Sequence, residues 1–265
     1  MSIGYACLAQ AVPGTDIKKC LIKNASPGRL RELIGINLDA LANMVEYNIS
    51  NGIRLYRVSS DIIPFASSPV NTIPWAEEFK DRLALIGGRI KESGMRVSMH
   101  PGQYTVLNSP DEKIAAAAAA ELDYHALFLD SLGVDAANKI ILHIGGVYGD
   151  KAAASVRFVE RFQALPENVR KRLVIENDDR SYNVGDVLEI SRRSGIPVVF
   201  DNLHHLANPP AQVTPQAEWI RACAATWTPR DGRQKIHYSQ SDPDRKPGAH
   251  SASINIDEFM DFYHS

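Results

Sequence analysis

Seven short apolar runs punctuate this chain, and each gives way to a longer stretch of helical period. The runs are "IGYACLA" (3–9), "RLYRVSS" (54–60), "MRVSMH" (95–100), "KIILHIGG" (139–146), "RLVIEN" (172–177), "PVVFDN" (197–202) and "KIHYSQ" (235–240). Segments 28–49, 75–93, 112–132, 152–164, 183–194, 213–224 and 256–264 carry apolar residues at three- and four-residue spacing, as amphipathic helices do. The run "IAAAAAAELDYHALFL" is low in complexity, yet alanine is the best helix former, so it reads as a packed helix. Strand after helix after strand predicts parallel pairing through right-handed crossovers. Runs that are apolar throughout suit strands covered on both faces.

Seven βα units with no Ser/Gly/Pro-rich linker predict one domain over residues 1–265. Its expected fold is α/β, a TIM-type (β/α) barrel, which commonly takes about 250 residues, with a doubly wound open sheet as the alternative. An eighth strand should follow 256–264, but the sequence stops at Ser265, so the barrel is expected to lack it.

The net charge of −2 excludes a globally basic nucleic-acid binder. Local basic clusters remain in "IKKCLIK", "RKR" (170–172), "RR" (192–193) and "DRK" (244–246). Cys7, Cys20 and Cys223 are odd in number and far apart, which argues against a disulfide framework and for a reducing compartment. No segment approaches the ~18 apolar residues that span a bilayer, and the N-terminus lacks a charged signal region. A cytoplasmic, monomeric protein is expected.

Active sites of parallel α/β folds form at the carboxyl ends of the strands. This chain places His100, His143, Glu176, Asp201 with His204, and His237 there, and His250 follows in the loop after the seventh run. Only His125, in a helical segment, and His264, in the tail, fall elsewhere. One histidine at a strand end is an ordinary hydrogen-bonded residue. With His205, which adjoins His204, six imidazoles and two carboxylates on one rim would need many partners and would repel one another when protonated. Divalent cations remove both difficulties, and a mixed N/O donor set suits Zn²⁺ or Mn²⁺. The set exceeds what one ion takes, so a cluster of two or three ions is expected, with Glu176 as the bridging carboxylate. Such clusters serve in-line attack on a phosphodiester.

Lys235 lies two residues before His237, so both face the same way along a strand. A buried cation beside metals calls for neutralisation, modification or a phosphate partner; a salt bridge to a core carboxylate is the plainer alternative. Gln103 and Tyr104 follow a Pro-Gly turn, and Tyr5 sits near the end of the first run. An amide and aromatics protruding there suit insertion into a duplex, or else ordinary packing on the rim.

At this point the chain resembles the UV damage endonucleases. The likeness rests on "GY" near the start, "YRVSSDIIPFAS" (56–67), "HPGQY" (100–104), "LHIGGVYGDK" (142–151), "IENDD" (175–179), "FDNLHH" (200–205) and "KIHYSQ" (235–240). It implies a metal-dependent repair nuclease akin to endonuclease IV, acting on damaged double-stranded DNA. Such enzymes nick immediately 5′ of UV photoproducts and leave a 3′-hydroxyl. By motif, His100, His143, Glu176, Asp201, His204, His237 and His250 resemble the family's metal ligands, usually described with manganese. Tyr5, Gln103 and Tyr104 resemble its lesion-probing residues, and Lys235 a lysine near the metals that can be carboxylated. Glu176, Lys235 and His237 are the candidate catalytic residues.

Two positions depart from the pattern. Ser68 stands where many members have a histidine after "PFAS". A final glutamate ligand on an eighth strand, in a "MLEAK"-like motif, is not found, and Glu258 in the helix-like "IDEFMDFYHS" is no substitute. Reduced metal occupancy and weak or absent nicking are therefore expected. The alternatives are a xylose-isomerase-like sugar isomerase or epimerase, whose sites are richer in carboxylates, and a damage-binding protein without catalysis.

Overall fold

The computed structural model describes residues 2–9, 12–245 and 249–264. Its strands are β1 (Gly4–Ala6), β2 (Leu55–Val58), β3 (Arg96–Met99), β4 (Lys139–His143), β5 (Leu173–Glu176), β6 (Val198–Asp201) and β7 (Ile236–His237). They form one seven-stranded sheet in which spatial order equals chain order. The pairs are parallel, as in Tyr5 opposite Tyr56, Val58 opposite Met99 and Asp201 opposite His237. A doubly wound sheet would reverse its order at a switch point; this one winds in a single direction, as a barrel does. Among the described residues no eighth strand follows β7.

The strands are shorter than the apolar runs that announce them. Hydrogen bonding stops where the polar strand-end residues begin, so β4, β5, β6 and β7 end on His143, Glu176, Asp201 and His237. Burial on both faces holds for β5 and β6 throughout, whereas β1, β2 and β7 are partly exposed. Full coverage therefore belongs to the middle of the sheet and not to its ends.

Helices α1 (Pro27–Ser50), α2 (Trp75–Glu78), α3 (Lys80–Glu92), α4 (Glu112–Ser131), α5 (Lys151–Ala164), α6 (Glu167–Arg170), α7 (Val184–Ser194), α8 (Asn202–Ala207), α9 (Gln216–Ala224) and α10 (Ile256–His264) complete the chain. Segment 75–93 is two helices, because the backbone leaves helical geometry at Phe79 (φ −110°, ψ 17°). Segment 213–224 begins later than its apolar pattern, at the residue after Pro215. The helix α7 opens on a capping box between Asn183 and Asp186 and closes on Gly195 at φ 76°, a left-handed position suited to glycine. No helix of the described residues is long and apolar enough to cross a membrane.

The chain divides into two compact units. The first holds Met1–Thr105, Ala116–Ile140 and Pro166–Arg172; the second holds Val106–Ala115, Ile141–Leu165 and Leu173–Ser265. In the first, α1 buries Leu30, Leu33, Leu38, Leu41 and Met44 from one stripe. Gly87 of α3 passes so close to the end of α4 that a Cβ would lie 1.6 Å from the Leu132 carbonyl oxygen, so only glycine fits. In the second, Ile141, Val174 and Val199 from three neighbouring strands form a core patch covered by Trp227. The Trp227 indole donates to the Val198 carbonyl at 2.7 Å, fixing the start of β6 from outside the ladder.

Candidate metal centre

The second unit gathers six of the seven expected ligands at the carboxyl ends of its strands. Glu176, the last residue of β5, is 1% exposed and sits at the centre. One of its carboxylate oxygens, Oε1, meets Nδ1 of His237; the other, Oε2, lies 3.6 Å from Nε2 of His143. Glu176, Asp201 and His204 each offer one ligand atom within 4.8 Å of the others. The His204 ring lies 5.3 Å from that of His143 and 6.5 Å from that of His250. His250 comes back to the site because residues 241 and 250 bridge antiparallel, and Ser251 N–H donates to the Gln240 carbonyl at 2.8 Å.

Local sequence explains the placement of Asp201 and His204. Asp201 ends β6 and also caps α8, its carboxylate accepting the His204 amide at 2.9 Å. One turn of helix then carries the His204 ring back beside that carboxylate. His204 Nδ1 lies 2.9 Å from the Asn177 carbonyl oxygen. A carbonyl only accepts, so Nδ1 carries the proton and the neutral ring keeps its lone pair on Nε2.

The electrostatics are those of crowded carboxylates. Burial, followed by repulsion from Glu176, pushes the Asp201 carboxyl up to about 7, against the pull of His204 and of the helix amides. For His204, burial opposes the charged form, but Asp201, Glu176 and the Asn177 carbonyl outweigh it and raise its proton affinity. The pair holds a proton near neutrality because two carboxylates this close cannot both stay ionised cheaply. A divalent cation could take that proton's place, and a donor set of imidazoles with buried carboxylates fits one.

The remaining expected residues are placed as follows. Lys235 enters β7 buried, two residues before His237. His100 belongs to the first unit, one residue beyond β3; its Nδ1 lies 3.0 Å from the Pro101 carbonyl oxygen, which fixes the same tautomer as in His204. Its own carbonyl accepts from Ser60 Oγ at 2.7 Å. Also in that unit, Gln103 and Tyr104 stand on an exposed turn, Tyr104 with 84% of its surface open. Tyr5 lies with its ring 5.1 Å from Tyr56 and its hydroxyl buried, so only part of the ring is accessible. The Ser68 hydroxyl accepts from the Val70 amide at 3.3 Å within a turn. Glu258 is exposed on α10. The sequence reading passed over Asn177 and Asn202, which directly follow Glu176 and Asp201.

The sequence model of the family described as UV-endonuclease UvdE matches residues 3–264. The chain belongs to the UV-endonuclease UvdE family. A relative from Clostridium perfringens (strain 13 / Type A), a "UV DNA damage endonuclease", is 46% identical over 264 residues, or 99% of this chain and 64% of its own length. The chain thus spans a little under two thirds of that relative. The crystal structure of SacUVDE is 39% identical and matches 100% of this chain and 89% of its own, with a TM-score of 0.95. A D-psicose 3-epimerase from Clostridium cellulolyticum H10, 14% identical with a TM-score of 0.53 over 75% of this chain and 67% of its own, shares the fold alone.

Proposed function

We propose that this member of the UvdE family is a metal-dependent endonuclease of damaged duplex DNA. It hydrolyses the phosphodiester immediately 5′ of a UV photoproduct and leaves a 3′-hydroxyl. The observation that carries the reading is Glu176, whose two oxygens face two different imidazoles while Asp201 and His204 close the same cluster. A cluster of two or three divalent ions, manganese or zinc, would be held by His143, Glu176, Asp201, His204, His237 and His250. His100 joins the ligand set on the strength of its motif and its Nε2 lone pair. When bound, such ions neutralise the phosphate and stabilise the charge that develops on the attacking and leaving oxygens. Glu176 would bridge, Asp201 and His204 would hold one flank, and Lys235 beside His237 would offset phosphate charge. Gln103, Tyr104 and the accessible part of Tyr5 would test the duplex for a lesion.

Purified chain with Mn²⁺ should relax UV-irradiated supercoiled plasmid, at the reduced rate expected with Ser68 in place of a family histidine, spare unirradiated plasmid and stop on chelation. End-labelled product should carry a 3′-hydroxyl at the bond 5′ to the photoproduct. Equal nicking of both plasmids sinks the lesion specificity; lesion binding without product under Mn²⁺ or Zn²⁺ makes the protein a damage binder. Turnover of a ketohexose in place of DNA would return it to the epimerases whose fold it shares.

The carboxyl of Asp201 sets the pH dependence. Below about 7 this group holds a proton in the metal-free protein, so a cation must displace that proton. Cation affinity should then rise as pH climbs from 5 to 7, by up to about tenfold per unit for each proton that Asp201 and His204 release, and flatten once both are deprotonated. Manganese titrations followed by electron paramagnetic resonance across this range provide the check; an affinity flat between pH 5 and 7 contradicts it.

A further inference from the structure

Beyond the last ladder bonds of β5, β6 and β7, two asparagine side chains stand in for strand backbone. Asn177 closes a two-way clamp on Asp201 of the neighbouring strand: the Asp201 amide donates to its Oδ1 at 2.9 Å, and its Nδ2 donates to the Asp201 carbonyl at 3.0 Å. Its main-chain carbonyl is the group that accepts from His204 Nδ1. Asn202 repeats the device one strand further on. The Ser239 amide donates to Asn202 Oδ1 at 2.8 Å, and Asn202 Nδ2 donates to the Ser239 carbonyl at 2.9 Å, two residues past His237. Both asparagines are buried.

Only a carboxamide supplies both halves of such a clamp. An aspartate has no donor for the carbonyl, and an apolar side chain strands two buried backbone groups. What the clamps hold is the backbone that carries the ligands. Asp201 is simultaneously a ligand candidate and the cap of α8, so the residue fixed by Asn177 also sets where His204 begins.

We propose that Asn177 and Asn202 are positioning residues of the metal centre. Asn177 fixes the Asp201 carboxylate and the Nε2-ligating tautomer of His204, while Asn202 fixes the segment that carries His237. The inference rests on the reading of this cluster as a metal centre, and neither asparagine touches substrate.

The test uses the whole chain as Asn177→Ala, Asn202→Ala and, as a control destabilised in the other unit, Leu41→Ala. Mn²⁺ affinity is measured by electron paramagnetic resonance, and imidazole tautomers of the metal-free protein by ¹H–¹⁵N correlation spectra. Loss of a group that orients ligands costs about 10- to 100-fold in metal affinity, so both asparagine variants should weaken Mn²⁺ binding by that factor. Asn177→Ala keeps the main-chain carbonyl that accepts from His204 but frees the backbone that aims it, so the single Nδ1–H form of His204 should become a mixture, which Asn202→Ala should leave intact. Leu41→Ala should melt earlier yet bind Mn²⁺ as the wild type does. Wild-type affinity together with an unmixed His204 tautomer in Asn177→Ala overturns the proposal. If Asn177→Ala does not fold, Asn177→Ser, uncharged and too short to reach both backbone groups of Asp201, carries the same comparison. A wild type that takes up neither Mn²⁺ nor Zn²⁺ defeats the metal reading instead. The His204 spectrum then decides the clamp by itself, a retained single tautomer overturning it and a mixture supporting it.

Discussion

Glu176→Gln is expected to lower the rate of nicking UV-irradiated duplex by about a thousandfold or more. The substitution keeps the side chain's shape in a position that is 1% exposed, so packing changes little. What changes is charge and hydrogen-bonding sense. The carboxylate presents one oxygen to His237 and the other to His143; glutamine replaces one of those oxygens with an NH₂ group that can only donate. A ligand that should neutralise two ions becomes one that repels at least one of them. Losing several kcal/mol of charge stabilisation corresponds to about three powers of ten at 1.36 kcal/mol each. A second readout separates this from misfolding. Glu176 repulsion helps hold the Asp201 carboxyl up near 7, so in the metal-free variant Asp201 should titrate lower than in the wild type. The metal-free variant should also be at least as stable at pH 8, because a buried like-charge pair has been removed. Rapid nicking by Glu176→Gln would remove Glu176 from the reaction.

The largest stability effect is expected from a residue away from the candidate site. Arg172 is fully buried in the first unit and uses its guanidinium as a five-way staple. Nε and Nη2 donate to Oδ1 of Asp130 at 3.0 and 2.6 Å. The remaining donors reach the carbonyls of Val134, Asp135 and Asn138 at 2.7, 2.6 and 3.1 Å. These carbonyls belong to the turn that leads into β4, so the arginine fixes the strand's entry. Arg172→Ala leaves the turn's carbonyls without their donors and Asp130 without its partner. Leaving those three carbonyls without donors costs about 3–5 kcal/mol, at the lower end of roughly 1–3 kcal/mol each, while Asp130, about a third exposed, is rehydrated. For a chain of this size that corresponds to a fall in Tm of roughly 6–20 °C at 2–4 °C per kcal/mol. Calorimetry on the metal-free protein makes the measurement; a fall of a degree or two would mean that the turn is held by other contacts.

Much of the candidate site could be read from the chain because strands and helices have different periods. Once "LVIE", "VVFD" and "IILH" are taken as strands, Glu176, Asp201 and His143 must share one end of a parallel sheet, whatever the details of packing. Element boundaries were less legible. The apolar runs close on polar residues of either kind, so nothing in "RLVIEN" marks where pairing with β6 gives way to the Asn177 side chain. Apolar periodicity likewise runs through Phe79, although the backbone breaks there. The start of α9 did carry a signal, in Pro215, that periodicity alone ignored. The helix α8 escaped because its six residues are too few to show a period, although an aspartate three residues before a histidine is a recognisable cap. The clamps escaped for a chemical reason. Asparagine in an apolar run reads as a breaker, and only the repetition of carboxylate then asparagine in "IEND" and "FDNL" hints that it bonds across strands. The division into two units has no counterpart in composition, since two of its boundaries fall inside α4 and β4 and the others in ordinary connections between elements.

The strands at the two ends of the sheet order, β1 and β7, are also its shortest, with three and two residues. A sheet margin invites other chains to add on in proportion to the length of unsatisfied backbone it displays. With so few amides and carbonyls in line, neither margin offers a foreign strand enough rungs to hold it. Brevity there works against polymerisation.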